Sequence, residues 1–128
     1  MLLGLVGTRK DYKGKGIGKI LFDHVLTYAE KNNLSYILSD TSELSKNSNR
    51  WHEKCGFKKY GYTSFRSTNY FSIIYRLDLP YKSNNKEYTC RYIYYYIITK
   101  LSLRRDGTPT CFGTIKYFIS NIIKSLLK

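Results

Sequence analysis

Apolar residues fall along this chain in short blocks whose period changes from block to block. Leu2 to Val6 is an apolar run followed by Gly7 and Thr8, which predicts a buried strand entering a loop. After a polar, glycine-bearing stretch from Asp11 to Gly18, Ile17, Ile20, Leu21, Val25, Tyr28 and Ala29 recur at helical spacing. They predict an amphipathic helix that stops at Asn32 and Asn33. Leu34 to Leu38 then reads as a second strand, because a short apolar run directly follows a helix stop. Strand, glycine loop, helix and strand make a βαβ unit, whose strands run parallel with a right-handed crossover.

Polar residues Asp40 to Asn47 lead into a predicted helix of two to three turns that ends at Gly56, a residue suited to a left-handed helix cap. Phe57 to Tyr62 reads as a strand. Tyr70 to Leu79 alternates, with Phe71, Ile73, Tyr75, Leu77 and Leu79 on one face until Pro80 stops it. These two strands are expected to pair as an antiparallel hairpin. A polar linker from Tyr81 to Lys86 follows. Beyond it, Tyr92 to Leu103 and a run containing Ile115, Phe118, Ile119, Ile122, Ile123, Leu126 and Leu127 predict two basic amphipathic helices split by Arg105 to Pro109. The expected fold class is α/β (α+β): a mixed sheet with a βαβ unit and a β-hairpin, followed by a helical tail. Residues 1–80 form the sheet-bearing portion and residues 81–128 the tyrosine-rich tail.

Composition supports a packed core rather than disorder, with 42% hydrophobic and 24% charged residues over a length of 128. The formal charge of +13 adds a preference for polyanions, which could be coenzyme phosphates, nucleic acid or acidic lipid. Cys55, Cys90 and Cys111 are widely spaced, and only two histidines accompany them, so neither a disulfide framework nor a metal site is expected. The first apolar run is too short for a signal peptide, and no stretch reaches the ~20 apolar residues of a membrane span. The expected location is cytoplasmic.

The densest chemical signal is Tyr12-Lys13-Gly14-Lys15-Gly16-Ile17-Gly18, set between a strand and the first turn of a helix. A helix start presents unpaired N–H groups and the positive end of the dipole, and glycines let phosphates approach backbone closely. The dinucleotide fingerprint does not fit, because its first glycine falls on Lys13, and the Gly-Lys-Ser/Thr ending of a P-loop is absent.

Lys13, Gly16 and Gly18 occupy a pattern that resembles the coenzyme loop of GNAT acyltransferases: Arg or Gln, two spacers, Gly, one spacer, Gly or Ala. Lysine at the first slot departs from it. Trp51-His52-Glu53-Lys54-Cys55-Gly56-Phe57 is similar to a later segment of the same family, an aromatic or His residue before Glu-Lys-x-Gly-Phe. The likeness covers roughly Leu2 to Leu79. It implies acetyl-coenzyme A as co-substrate, with no metal, and transfer to an amine by direct attack. It further implies that Val6 and Gly7 face the pantetheine arm and that Lys13, Gly14, Lys15, Gly16, Ile17 and Gly18 hold the pyrophosphate. Ser39, Asp40 and Thr41 line the opposite wall, with Ser48 as a further polar contact. His52 stands where many members carry a tyrosine that protonates the departing thiolate, and an imidazole can do that chemistry. Ser45 stands where Asn is common, with Asn47 and Ser48 close by as alternative polar contacts. His24 reads as a surface residue, and Cys55 as buried rather than nucleophilic.

A complete GNAT domain has elements before the strand that begins near Met1, so the resemblance implies a fragment or a shortened protein. The preferred function is an N-acetyltransferase acting on a small-molecule or peptide amine. The rivals are a non-catalytic remnant that binds coenzyme or a protein, and a basic protein of membrane surfaces or nucleic acid. No nucleic-acid partner is expected; membrane-surface contact through the tail and a homodimer are the other partner readings. For the tail, packing of its amphipathic helices against the sheet is favoured.

Overall fold

A computed structural model describes residues 1–3, 9–80 and 88–126 of the chain. The elements are β1 (Leu2–Leu3), a single 3-10 turn (Lys10–Tyr12), α1 (Ile17–Lys31), β2 (Tyr36–Ser42), α2 (Lys46–Lys54), β3 (Lys58–Ser64), β4 (Phe71–Asp78), α3 (Thr89–Ser102) and α4 (Cys111–Leu126). The sheet runs β1-β2-β4-β3. β1 pairs parallel with β2, and β4 pairs antiparallel with both β2 and β3, so the parallel unit and the hairpin are both present. The remainder of the first predicted strand and the whole Tyr81 to Lys86 linker lie outside the described residues.

Two strands begin later than their apolar runs, and both shifts have the same cause. Asn33 adopts φ 51° after α1, and Leu34 N–H donates to the Ala29 carbonyl at 2.9 Å. Gly56 adopts φ 85° after α2, and Phe57 N–H donates to the His52 carbonyl at 3.0 Å. These are Schellman-type helix endings, in which the apolar residue after the left-handed one folds back over the last turn. Leu34 and Phe57 are thus spent on helix caps, and the strands start at Tyr36 and Lys58. β2 then continues through the polar Ser39 to Ser42, because its ladder to β4 runs on to Ser42 opposite Ser72.

The face of α1 also differs from the periodic reading. Phe22 and Ala29 are buried, whereas Ile17, Ile20, Leu21 and Tyr28 are exposed. Phe22 decides the orientation: its ring meets Trp51 edge-on at 5.6 Å and Phe57 at 5.6 Å. With Ile37, Tyr75, Leu77, Ile73, Phe71 and Tyr62 these rings form the core between sheet and helices.

α3 covers the free edge of β3. The Thr99 hydroxyl donates to the Tyr62 carbonyl at 2.9 Å, and the Tyr62 ring packs against Tyr92 and Tyr96 at 6.2 and 4.9 Å. An edge strand left bare would template pairing with another chain, and this helix blocks it. The favoured packing of the tail is therefore half right: α3 lies against the sheet, whereas α4 leaves its apolar face exposed.

Candidate coenzyme cleft

A cleft of about 1220 Å³ is lined by the loop before α1 and its first turn, by β2 and by α2. On the loop side it is lined by Lys13, Gly14, Gly16, Ile17 and Gly18, on the strand side by Ser39, Asp40 and Thr41. Ser45, Ser48 and His52 of the α2 segment complete the predicted set that it brings together. Lys15 is outside the lining, and its ammonium sits 5.1 Å above the Tyr12 ring. Val6 and Gly7 lie outside the described residues.

The loop geometry is that of an anion cradle. Gly14 and Gly16 adopt φ 79° and 78°, a left-handed conformation that L side chains rarely hold, and added Cβ atoms there would meet nothing within 4 Å. Gly16 is the N-cap of α1, and no side chain caps it among the described residues. The leading N–H groups of the helix are thus open toward the cleft, where the dipole favours a phosphate. Among the described residues Lys13, Lys19 and Lys54 line the cleft with one carboxylate, Asp40, and Lys19 is itself paired with Asp23 at 3.1 Å. Residues and charge both fit the diphosphate of a coenzyme. At Gly18 the reason for glycine is different: an added Cβ would stand 3.4 Å from Trp51 Nε1, so α1 and α2 approach through it.

The opposite wall is a connected polar seam between β2 and α2. Thr41 Oγ1 donates to Ser48 Oγ at 2.9 Å, and Asn49 Nδ2 donates to the Ser42 and Glu43 carbonyls at 3.2 Å each. His52 is buried and stacks on Tyr75 with centroids 4.7 Å apart. Its Nδ1 is 2.8 Å from the Ser48 carbonyl and its Nε2 is 2.9 Å from Ser39 Oγ. A carbonyl only accepts, so Nδ1 carries the proton and the Ser39 hydroxyl donates to Nε2 in the neutral ring. Burial lowers the His52 pKa from its ordinary 6.5, against upward contributions from the Ser48 carbonyl and Asp40.

A histidine with a depressed folded pKa contributes stability that is present above its unfolded value and lost as pH falls through the folded one. Thermal unfolding followed between pH 7.5 and 5 is thus expected to show the chain losing Tm below 6.5, with a smaller loss in the His52→Gln variant. Equal losses would mean that His52 does not set the acid limb.

Asn47, an alternative polar contact beside Ser45, lines the cleft too, and Trp51, Lys19 and Tyr70 line it without being assigned there from sequence. Trp51 lies within the Trp51–Phe57 motif, and its aromatic bulk on a short polar helix is the signal that marks it. Tyr70 arrives through the β3–β4 turn, which no local pattern places beside the loop before α1. His24 is exposed, as expected, whereas Cys55 is half-buried rather than buried, with its thiol pKa raised by burial. Among the described residues no cluster of His, Cys, Asp and Glu could hold a metal ion.

Residues 2–57 match the model of the acetyltransferase (GNAT) family. Comparison with curated protein sequences gives no match. Among solved structures, the chain resembles a GNAT-family protein from Desulfovibrio desulfuricans at 20% identity, covering 60% of this chain and 51% of that one with a TM-score of 0.54. It resembles Ard1 from Thermoplasma volcanium at 14% identity, 59% and 51% coverage and a TM-score of 0.55. It also resembles the ribosomal-protein-S18-alanine N-acetyltransferase of Escherichia coli at 17% identity, 66% and 59% coverage and a TM-score of 0.53. The mixed sheet and its glycine loop therefore define a GNAT-like fold. Residues 2–57 carry the sequence pattern of the GNAT acetyltransferases, and the chain spans about half to three fifths of the length of these structures, 51 to 59%.

Proposed function

We propose that the chain is an acyl-coenzyme A N-acyltransferase that moves an acetyl group from acetyl-coenzyme A to a small-molecule or peptide amine, acting in the cytoplasm. The observation that carries this reading is the open N-terminus of α1 with Gly14 and Gly16 in left-handed conformations, facing the β2 wall across one cleft. Coenzyme bound there supplies a thioester. Lys13 and the α1 N–H groups hold its diphosphate, and Ser39 to Thr41 line the wall opposite. The neutral amine attacks the thioester carbonyl directly, the C–N bond forms as the C–S bond breaks, and the thiolate leaves with a proton. No covalent intermediate on the protein is required, so positioning supplies much of the rate.

His52 serves in this reading as a positioning residue. Its Nδ1–H is committed to the Ser48 carbonyl and its Nε2 accepts from Ser39, so in this tautomer it holds the wall in place and offers the cleft no proton. Colorimetric thiol release from acetyl-coenzyme A, screened over small amines and peptides with free N-termini, tests the proposal. The expected result is amine-dependent release that falls roughly tenfold in Ser39→Ala, which leaves the buried His52 Nε2 without its partner and loosens the cleft wall. Binding of coenzyme without turnover over the whole panel supports instead the second reading, a chain that binds coenzyme without catalysing transfer.

A further inference from the structure

The apolar stripe of α4 faces away from the rest of the molecule. Phe112, Ile115, Phe118, Ile119, Ile122 and Ile123 are all exposed, by 43 to 66%. They recur at i, i+3, i+4 and i+7, the spacing of one helix face. The side turned inward is the opposite one. Gly113 is buried, and an added Cβ would lie 2.0 Å from the Ser102 carbonyl oxygen, so α4 touches α3 through its smallest residue. Ser120, two turns on from Gly113 and on the same side, is also drawn partly out of solvent. An amphipathic helix buried in its own fold packs the other way round, with the apolar stripe inside.

Charge chooses the occupant. From Thr89 to Lys128 the sequence carries seven Lys and Arg against one acid, Asp106, and no acid follows Gly107. Lys116 stands at the border of the stripe, Arg104 and Arg105 occupy the turn before α4, and Tyr117 is exposed on the polar side. A second copy of α4 would bring more cations to the same surface with no carboxylate to meet them. An anionic phospholipid surface answers both features, since its acyl region accepts the apolar stripe and its headgroups the cations. At 16 residues α4 is shorter than a membrane span, and among the described residues no helix is long and apolar enough to cross a membrane.

We infer that α4 is a membrane-surface helix, lying in the plane of an anionic leaflet with Ile115, Phe118, Ile119 and Ile122 inserted and the basic turn at the headgroups. It would hold the cleft-bearing sheet close to that surface. The inference does not depend on acyl transfer, because no cleft residue takes part in it.

The test is flotation of the full chain with vesicles of phosphatidylcholine alone and with about 30 mol% phosphatidylglycerol, at roughly 0.05 and 0.5 M salt. Two variants accompany it: Ile115→Glu/Ile119→Glu, and Lys116→Glu. All three side chains are exposed, and far-ultraviolet circular dichroism checks that each variant stays folded. Expected are flotation with the anionic vesicles, at least tenfold less with neutral ones, a marked loss at high salt, and loss of flotation in the double variant. Lys116→Glu should weaken binding severalfold. A chain that stays in the soluble fraction with both vesicle types overturns the proposal, as does a double variant that floats like the parent. A dimer seen in sedimentation velocity and abolished by the double substitution overturns it in favour of self-association.

Discussion

Phe57→Ala is expected to cost about 3–5 kcal/mol of folding stability, the usual cost of removing a buried phenyl ring. Phe57 is 2% exposed, with Phe22 of α1 at 5.6 Å and His52 of α2 at 5.4 Å. It therefore joins both helices that border the cleft to the sheet, and it is also the residue that folds back over the left-handed Gly56. Domains of this size are stable by only about 5–15 kcal/mol, so the variant loses a large share of the total. Thermal unfolding followed by circular dichroism should show Tm lowered on the order of 10–20 °C, or no cooperative transition at all. A shift of a degree or two would show that the ring does not bridge α1 and α2.

Gly16→Val acts on the ligand rather than on the core, and its effect on coenzyme binding should be as large. At φ 78° a β-branched residue is strained by roughly 1–2 kcal/mol, and the side chain would stand in space that is open at present. The helix end would have to unwind or turn its N–H groups away, removing hydrogen bonds to a charged phosphate worth about 1.5–3 kcal/mol each. Acetyl-coenzyme A should bind roughly 10- to 100-fold more weakly, while Tm of the ligand-free protein falls far less than in Phe57→Ala. Unchanged affinity in Gly16→Val would remove the pyrophosphate from this loop.

Much of this arrangement was legible in the sequence because local signals agreed with one another. The glycine loop, the helix after it, the Gly56 cap and the alternation through Phe71 to Leu77 each stated their own geometry, and all four lead to one mixed sheet. The strand boundaries were read too early because Leu34 and Phe57 are apolar for a different reason, as residues that close helices. The inward face of α1 was misplaced because the helix carries apolar residues on more than one side, and only the ring contacts of Phe22 with Trp51 and Phe57 choose between them. The polar wall was harder still. His52 lies in a motif, and Ser39 and Ser48 follow only from the family resemblance, but no local pattern states the hydrogen bonds that cross from strand to helix here or brings Asn49 into them. Nor does periodicity say that the apolar face of α4 points outward, since an identical stripe would serve equally well for burial.

Calorimetric titration of the folded chain with acetyl-coenzyme A tests the central claim most directly. Saturable one-site binding is expected, weakening with rising salt as phosphates held by lysines and a helix end require, and falling in Gly16→Val. A chain whose cooperative unfolding proves it folded, and which gives no binding heat and no coenzyme-induced rise in Tm, would contradict it.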